Sequence, residues 1–354
     1  MNFASDNQSG VSPRILQALI EAASGSQSSY GNDTWSQRAE TLLKETFDTE
    51  LRVFFVATGT AANCLALSAL ARPWEAVLCH AQAHIATDET SAPEFFTGGA
   101  RLLPIATPSG KLLAADLDRA LARLPSARPH TVTPAAVSVT QATENGLVYT
   151  PRELTELTTR AHASGLHVHM DGARFANAVA TLGCHPADVA ARAGVDVLSL
   201  GASKSGALCA EAVVFFNTAL AEDFDVRRKR AGQLVSKGRL FGAQYCAWLE
   251  DGHWLALAGH ANQCAKQIEQ VLCNQADVRQ AWPVEANELI VVMPRRLHAH
   301  LQAAGVACYD WYPDSVPAAV TLGQDDMAVR FVTSWSTTEE EIAALSAVLA
   351  AAPR

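Results

Sequence analysis

The chain has 354 residues, of which 49% are hydrophobic and 18% are charged, and its formal net charge is -9 at pH 7. The acidic balance excludes an extended nucleic-acid surface, because phosphate binding needs clustered lysine and arginine. No apolar run reaches the length of a membrane span, and the first residues lack the features of a signal peptide. The eight cysteines are scattered without a Cys-x-x-Cys pair, which favours reduced thiols and a cytoplasmic location over disulfides or a metal site.

Helical and strand-like segments alternate between residues 37 and 216. Alternation of this kind predicts a mostly parallel sheet covered by helices on both faces. The apolar segment 211–217 comes last and is predicted to pair antiparallel. The predicted strands are 52–58, 76–80, 135–140, 165–171 and 195–201, and the predicted helices are 36–47, 59–70, 115–124 and 151–165.

The remaining chain has a different composition. A helix-rich connection at about 219–275 leads to a small α/β unit, with predicted strands at 287–294 and 328–335 and predicted helices at 295–305 and 338–351. We therefore predict an α/β protein built from an extended N-terminal arm, a large domain and a smaller C-terminal domain, at 1–15, 16–250 and 251–354.

Three of the predicted strands end in residues that carry chemistry. Thr58-Gly59-Thr60 ends one strand and starts a helix, whose free N–H groups favour an anion. Asp171 ends a second strand, three residues before Arg174, and Lys204 follows a third strand between two serines. Since ligands of open α/β sheets bind outside the carboxyl ends of the strands, we expect these groups to lie close together.

Each of these features also has a purely structural interpretation. Gly59 and Thr60 could be a capped helix start, Asp171 and Arg174 an ion pair, and Lys204 a lysine in a surface turn. Nucleotide binding is disfavoured, since the chain has neither the lysine of a P-loop nor the three glycines of a dinucleotide fingerprint. Taken together, however, an amine, a carboxylate and a phosphate cradle are the groups that pyridoxal 5'-phosphate needs.

The sequence resembles the low-specificity L-threonine aldolases over nearly its whole length. These aldolases are fold-type I pyridoxal-phosphate enzymes, so the resemblance implies an aspartate-aminotransferase-like fold with a large mixed, mostly parallel sheet. The likeness is greatest to bacterial members that act on phenylserine-type substrates. The motifs that carry it are SDN at 5–7, YGND at 30–33, TGTAAN at 58–63, AH at 83–84, ENG at 144–146, HMDGAR at 169–174 and SK at 203–204.

The resemblance implies a role for each matching residue of the cofactor site. Lys204 resembles the lysine that forms a Schiff base with the cofactor. Asp171 resembles the partner of the pyridine nitrogen, and His84 resembles the imidazole that stacks on the ring. Gly59 and Thr60 match the turn that binds the phosphate.

The resemblance also implies contacts to the substrate and between subunits. Tyr30 and a basic residue of segment 227–237, with Lys229 favoured over Lys237, would come from a neighbouring subunit of a homotetramer built from close dimers. The residues that match the groups holding the substrate's α-carboxylate are Ser5, Arg174 and Arg330, of which Arg174 also borders the cofactor.

One position departs from the family pattern. Many members carry a histidine where this chain has Glu144, so the base for the proton of the β-hydroxyl is Glu144, His84 or a bound water. We expect His84→Asn to lower kcat more than Glu144→Gln. The implied reaction cleaves L-threonine, L-allo-threonine or L-phenylserine reversibly into glycine and an aldehyde. The alternative is another pyridoxal-phosphate reaction on a small amino acid, such as β-elimination or transamination.

Overall fold

The computed structural model describes residues 1–125, 127 and 129–352. The strands of its larger sheet are β1 (Arg52–Val56), β2 (Glu75–His80), β3 (Arg101–Ile105), β4 (Thr133–Thr140), β5 (His167–Gly172), β6 (Val197–Gly201) and β7 (Glu211–Phe215). Their order across the sheet is β1-β7-β6-β5-β4-β2-β3. β7 is antiparallel to both of its neighbours, whereas all the other pairs are parallel.

The predicted mixed sheet is thus confirmed, including the antiparallel direction of β7. The apolar runs that predicted β6 and β7 correspond to strands that are buried along their whole length. The sequence did not predict β3, which is one of the two edge strands of the sheet and is only partly buried. It contains Pro104, and proline is tolerated in a strand at such an edge.

Helices pack on both faces of this sheet. Val197 and Leu198, neighbours on β6, belong to different hydrophobic cores, because successive side chains of a strand point to opposite faces. The helices of this part of the chain are α1 (Pro13–Ala23), α2 (Thr34–Phe47), α3 (Gly59–Leu70), α4 (His84–Thr87), α5 (Ala92–Thr97), α6 (Ala114–Arg123), α7 (Pro151–Ala163), α8 (Phe175–Leu182), α9 (Phe224–Arg230) and α10 (Arg239–Leu249).

A local sequence signal explains where α7 begins. The hydroxyl of Thr150 accepts a hydrogen bond from the N–H of Glu153, and the Glu153 carboxylate accepts one from the N–H of Thr150. Pro151, at the first position of α7, loses nothing there, because that N–H has no partner inside a helix. This capping box starts α7 where the sequence predicted a helix.

The C-terminal part of the chain forms a second, antiparallel sheet. Its strands, β8 (Arg279–Gln280), β9 (Glu288–Pro294), β10 (Tyr309–Asp310) and β11 (Asp326–Val332), lie in the order β10-β11-β9-β8. They are accompanied by α11 (His253–Cys273), α12 (Arg295–Ala303) and α13 (Glu339–Ala350). The two predicted strands and two predicted helices of this unit correspond to β9, β11, α12 and α13. Throughout the described chain, each helix is too short or too polar to cross a membrane.

The first residues of the chain are fastened to the smaller sheet. The Phe3 N–H donates to the carbonyl of Ala307 at 2.8 Å, and its carbonyl accepts from the N–H of Val332 at 2.8 Å. The Phe3 side chain is fully buried in the core of the smaller sheet. After a single 3-10 turn at Asp6–Gln8 the chain enters α1. The proposed division into arm, large domain and small domain stays a prediction, since α11 packs into the cores of both sheets.

A buried histidine links three central strands just before the carboxyl end of β5. The two ring nitrogens of His169 lie 2.8 Å from the hydroxyl of Ser138 on β4 and 2.9 Å from that of Ser199 on β6. Burial lowers the pKa of His169 to about 4, so the ring is neutral at physiological pH. These bonds fix the relative positions of the strands that carry Asp171 and lead to Lys204.

Candidate active site

A cavity of about 1440 Å³ lies at the carboxyl edge of the larger sheet. Its wall combines loops that follow strands of this sheet with the start of the chain and with residues of the smaller sheet. Several aromatic side chains line it: Trp282, Tyr309, Trp311 and Tyr312. Six of the residues singled out from the sequence also line it: Ser5, His84, Glu144, Arg174, Lys204 and Arg330.

Lys204 lies in a single 3-10 turn, Ser203–Ser205, directly after β6. Its side chain is partly buried, and within the described chain its amine makes no hydrogen bond or ion pair. The backbone at this point is tightly packed, because a Cβ on Gly201 would lie 2.8 Å from the Cα of Ala173. Glycine at 201 therefore lets the end of β6 approach the loop that follows β5.

Asp171 lies on the neighbouring strand and is 4% exposed. One carboxylate oxygen accepts a hydrogen bond from the side-chain amide of Asn63 at 2.7 Å. The other accepts one from the N–H of Ala173 at 3.0 Å. Asp171 pairs with Ser199 across β5 and β6, so the carboxylate and the Lys204 turn lie at the ends of adjacent strands.

The start of α3 is linked to Asp171 through Asn63, which lies one turn into this helix. Thr58 caps this helix by accepting a hydrogen bond from the N–H of Ala61 at 3.1 Å. The N–H groups of Gly59 and Thr60 have no partner in the described chain, as expected for the first residues of a helix. Asn63, one turn further on, makes the hydrogen bond to Asp171. The unpaired N–H groups and the buried carboxylate are thereby held in one rigid unit.

His84 is linked to the same unit through a buried glutamate. Its Nδ1 lies 2.8 Å from Oε1 of Glu89, and the Glu89 side chain is fully buried. The same oxygen accepts a hydrogen bond from Asn63 at 2.8 Å. The bond to Glu89 raises the pKa of His84, and burial opposes this only in part. Asn63 thus connects the carboxylates of Asp171 and Glu89.

Glu144 lies beside His84 in the cavity wall. Its Oε1 accepts hydrogen bonds from the backbone N–H of His84 at 2.7 Å and from the hydroxyl of Thr140 at 3.0 Å. Oε2 makes no hydrogen bond to any described residue. Burial raises the pKa of Glu144 to about 7, and the nearby charge of Asp171 raises it further, while the two hydrogen bonds oppose the shift. The carboxyl can therefore take up and release a proton near neutral pH.

The two arginines singled out from the sequence come from different sheets: Arg174 follows β5 of the larger sheet, and Arg330 lies on β11 of the smaller sheet. Arg174 makes a bidentate ion pair with Asp6, with Nε–Oδ2 and Nη2–Oδ1 distances of 2.7 and 2.9 Å. Arg330, on β11, stacks on Trp311, with 4.0 Å between the guanidinium carbon and the ring centroid. Ser5 lies next to Asp6, and its hydroxyl caps the Asp6–Gln8 turn.

Tyr30 and Lys229 do not line the cavity, but they contact each other. The Lys229 amine lies 5.3 Å from the centroid of the Tyr30 ring. Tyr30 is 45% exposed and has a φ of 60°, a conformation that bulky residues rarely adopt. Residues that the sequence assigned together to a subunit contact are therefore adjacent on the surface.

The residues present fit pyridoxal phosphate. An amine without a partner, a buried carboxylate on the adjacent strand and free N–H groups at a helix start are the donor set that this group requires. The side-chain oxygen of Asn63 is buried without a hydrogen-bond partner in the described chain, so the polar network around Asp171 is still incomplete. Lys204, Asp171, His84, Gly59 and Thr60 are the residues that would hold the cofactor.

Comparison with known proteins agrees with this chemistry. Residues 2–295 match the model of the beta-eliminating lyase family. The chain is 43% identical to a low specificity L-threonine aldolase of Pseudomonas aeruginosa, over 97% of this chain and 95% of that relative. The chain belongs to the low-specificity L-threonine aldolases.

Solved structures give the same result at the level of the fold. A threonine aldolase of Leishmania major superposes on this aldolase with a TM-score of 0.91, at 31% identity and over 99% of this chain and 98% of that chain. A serine palmitoyltransferase of Sphingomonas wittichii, 18% identical, shares the fold with a TM-score of 0.72, over 99% of this chain and 86% of that chain. The family and the pyridoxal-phosphate fold type predicted from the sequence are confirmed.

Sequence reasoning missed several residues that shape the site of this aldolase. Asn63 belongs to the quoted motif TGTAAN and lies one helical turn after Gly59, which was the available signal. Asp6 likewise belongs to the quoted motif SDN, whereas Glu89 and Glu288 carry no such signal, because only folding brings them to their partners. Glu211 starts β7 opposite Gly201 and is buried, and burial raises its pKa to about 7.

The hydrogen bond between Glu89 and His84 gives a testable prediction. Glu89→Gln replaces a charged acceptor by a neutral amide, so the imidazolium form of His84 loses its stabilisation and its pKa should fall. The measurement is an NMR pH titration of protein carrying 13C-labelled histidine, with His84→Asn to assign the signal. Glu94→Gln, which removes a carboxylate that makes no contact with His84, is the matched control. An unchanged His84 pKa in Glu89→Gln would show that this bond does not tune the ring.

Proposed function

We propose that the protein is a pyridoxal-phosphate-dependent aldolase that cleaves L-β-hydroxy-α-amino acids reversibly into glycine and an aldehyde. The observation that carries this proposal is the unpaired Lys204 amine in a cavity that two arginines also line, with the buried Asp171 carboxylate at the end of the adjacent strand. Its eight free cysteines suit a cytoplasmic location, which stays a prediction.

The cofactor supplies an aldehyde that reacts with amines and a ring that accepts an electron pair. Lys204 provides the amine that holds it. Asp171 would pair with the ring nitrogen, and the hydrogen bonds from Asn63 and Ala173 hold its buried carboxylate in place for that contact. The free N–H groups at the start of α3 hold the phosphate.

Arg174 and Arg330 hold the α-carboxylate of the substrate. Both line the cavity that contains Lys204, and their guanidinium groups suit a planar carboxylate. Fixing the α-carboxylate also sets the rotation about the Cα–N bond of the substrate, and this rotation decides which bond at Cα is broken. This positioning favours carbon–carbon cleavage over removal of the Cα proton.

Glu144 takes the proton of the β-hydroxyl. Its free Oε2, its place in the cavity wall and its pKa of about 7 suit a general base at neutral pH. His84 suits this task less well, because its bond to Glu89 raises its pKa and so favours the imidazolium, which cannot accept a proton. The greater kcat loss expected from the sequence for His84→Asn stays a prediction.

The cavity has room for a large β-substituent. Its volume of about 1440 Å³ exceeds what a substrate as small as threonine fills, and four aromatic side chains line it. Aromatic rings pack favourably against such side chains. We therefore propose L-phenylserine-type substrates beside L-threonine and L-allo-threonine. A β-elimination or transamination would use the same lysine and carboxylate, and the products distinguish these reactions.

The function is tested by identifying the products. We expect glycine and acetaldehyde from L-threonine, and glycine and benzaldehyde from L-phenylserine. Lys204→Ala should abolish both reactions and the visible absorbance band near ~420 nm. Lys266→Ala, which removes an exposed lysine paired with Glu269, should keep both. Ammonia with a keto acid, or an amino group passed to a keto acid, would contradict the aldolase proposal, and an unchanged band in Lys204→Ala would contradict the cofactor assignment.

The base is tested by the pH dependence of kcat. The carboxylate form of Glu144 is the active one, so kcat should fall as the pH falls through about 7. Glu144→Gln should lower kcat by about 10²–10⁴-fold and abolish this acidic limb. His84→Asn should retain the limb while lowering kcat through poorer cofactor placement. If the limb disappears in His84→Asn and persists in Glu144→Gln, His84 is the base.

We further propose that the active protein is a homo-oligomer, a dimer of dimers, whose sites are shared between subunits. The exposed pair Tyr30–Lys229 does not reach the cavity of its own chain, which supports a role at a neighbouring site. Leu16 and Ile20, one turn apart on α1, are 48% and 57% exposed and suit a subunit contact.

Shared sites predict complementation between defective variants. Lys204→Ala protein should be inactive alone and Tyr30→Phe protein weakly active alone, and part of the activity should return when their subunits are mixed and exchange. The reason is that a hybrid dimer contains one site with both native residues. Product formation from L-phenylserine is the measurement, and native mass spectrometry confirms the exchange. No recovery in proven hybrids would show that Tyr30 acts in its own subunit.

A further inference from the structure

Glu288 lies between the two arginines of the cavity. It is the first residue of β9, and its side chain is fully buried. Its Oε1 lies 3.1 Å from Nη2 of Arg174 and 3.4 Å from Nη1 of Arg330. Glu288 also lines the cavity, so a carboxylate of the protein already occupies the space beside both arginines.

This carboxylate is held by charge and not by hydrogen bonds. Within the described chain, neither oxygen of Glu288 has a hydrogen-bond partner, although both are buried. Asp6, in contrast, accepts two hydrogen bonds from Arg174 and a third, at 3.0 Å, from Asn287. Since a buried carboxylate without hydrogen bonds is costly, the position of Glu288 needs an explanation beyond a structural ion pair.

The backbone keeps Glu288 at this position. Gly146 has a φ of 74°, and a Cβ there would lie 2.9 Å from the carbonyl oxygen of Glu288. Glu288 also pairs with Val332 across β9 and β11. The loop that carries Glu144 therefore packs directly on the start of β9, and this contact fixes the backbone of Glu288 beside the arginines.

The charges of this cluster are balanced before any substrate arrives. Arg174 and Arg330 supply two positive charges, and Asp6 and Glu288 supply two negative ones. The arginines still keep unused donors. Arg174 Nη1 makes no hydrogen bond to any described residue, whereas Nε of Arg330 is unpaired but buried away from the cavity. The geometry can thus accept a further carboxylate, whereas the charge balance opposes it.

We propose that Glu288 tunes the affinity of the site: its carboxylate competes with the substrate's α-carboxylate for Arg174 and Arg330 and so weakens the binding of amino acids. This inference rests on the proposed function, since it takes these arginines as the groups that hold the α-carboxylate. With substrate bound, three carboxylates share two arginines. Neutralising Glu288 leaves two carboxylates for two arginines, and the attraction for the substrate increases.

The test measures the binding of glycine to the holoenzyme by isothermal titration calorimetry. Glu288→Gln should bind glycine at least about tenfold more tightly than the wild type, because one repelling charge at contact distance is removed. Glycinamide, which keeps the amine but lacks the carboxylate, should bind equally to both proteins. Asp314→Asn, which removes a carboxylate of the same cavity with no contact to either arginine, is the matched control and should leave glycine binding unchanged.

Unchanged or weaker glycine binding by a folded Glu288→Gln holoenzyme, with wild-type absorbance and unfolding temperature, would overturn the proposal and make Glu288 a structural partner of the arginines. If Glu288→Gln does not fold, Glu288→Asp keeps the charge and withdraws it by one methylene. We then expect a smaller gain in glycine affinity, and no gain there is equally contradictory.

The outcome is separable from that of the proposed function, because glycine binding is measured without any cleavage. A protein that cleaves no β-hydroxy amino acid, yet binds glycine more tightly after Glu288→Gln, refutes the aldolase reaction and keeps the role of Glu288. A protein that forms glycine and an aldehyde, with glycine binding unaffected by Glu288→Gln, keeps the reaction and refutes that role.

Discussion

The hydrogen bond from Asn63 to Asp171, 2.7 Å long, joins the first turn of α3 to the end of β5, and the arrangement of the site depends on it. A buried carboxylate is stable only where hydrogen bonds or opposite charges compensate its lost hydration. Asn63 meets this need and also contacts Glu89, which in turn orients His84. One amide thereby fixes the start of α3, the Asp171 carboxylate and the His84 imidazole relative to one another.

The other half of the cavity depends on a second buried charge. Arg174 follows β5, yet its partner Asp6 comes from the start of the chain, which is fastened to the smaller sheet. Burial alone would raise the pKa of Asp6, but the Arg174 guanidinium lowers it below its usual value. The ion pair therefore connects the two sheets through the cavity and places Arg174 near Arg330 of β11.

Carboxyl groups in and beside the cavity differ in pKa because their neighbours differ. Burial raises the pKa of Glu144 to about 7, whereas the arginine beside Asp6 lowers the pKa of that carboxyl. Such a difference in pKa lets one carboxyl group exchange protons near neutral pH while another stays charged. Glu288 faces two arginines without hydrogen bonds and is thus not a well-formed structural pair. Its position suits a residue that tunes how strongly the arginines bind a ligand.

The sequence by itself determined most strands of the larger sheet, several of its helices and three strand-end groups, because hydrophobic periodicity and helix caps are local signals. It also determined the family, through motifs that extend from SDN at 5–7 to SK at 203–204. Only the tertiary structure decided that Asn63 contacts Asp171, that Glu89 contacts His84, and that Glu288 lies between two arginines. These contacts join segments that are far apart along the chain and meet only when the strands are ordered in the sheet. The partner of a buried charge depends on distance in space, and no pattern along the chain encodes that distance.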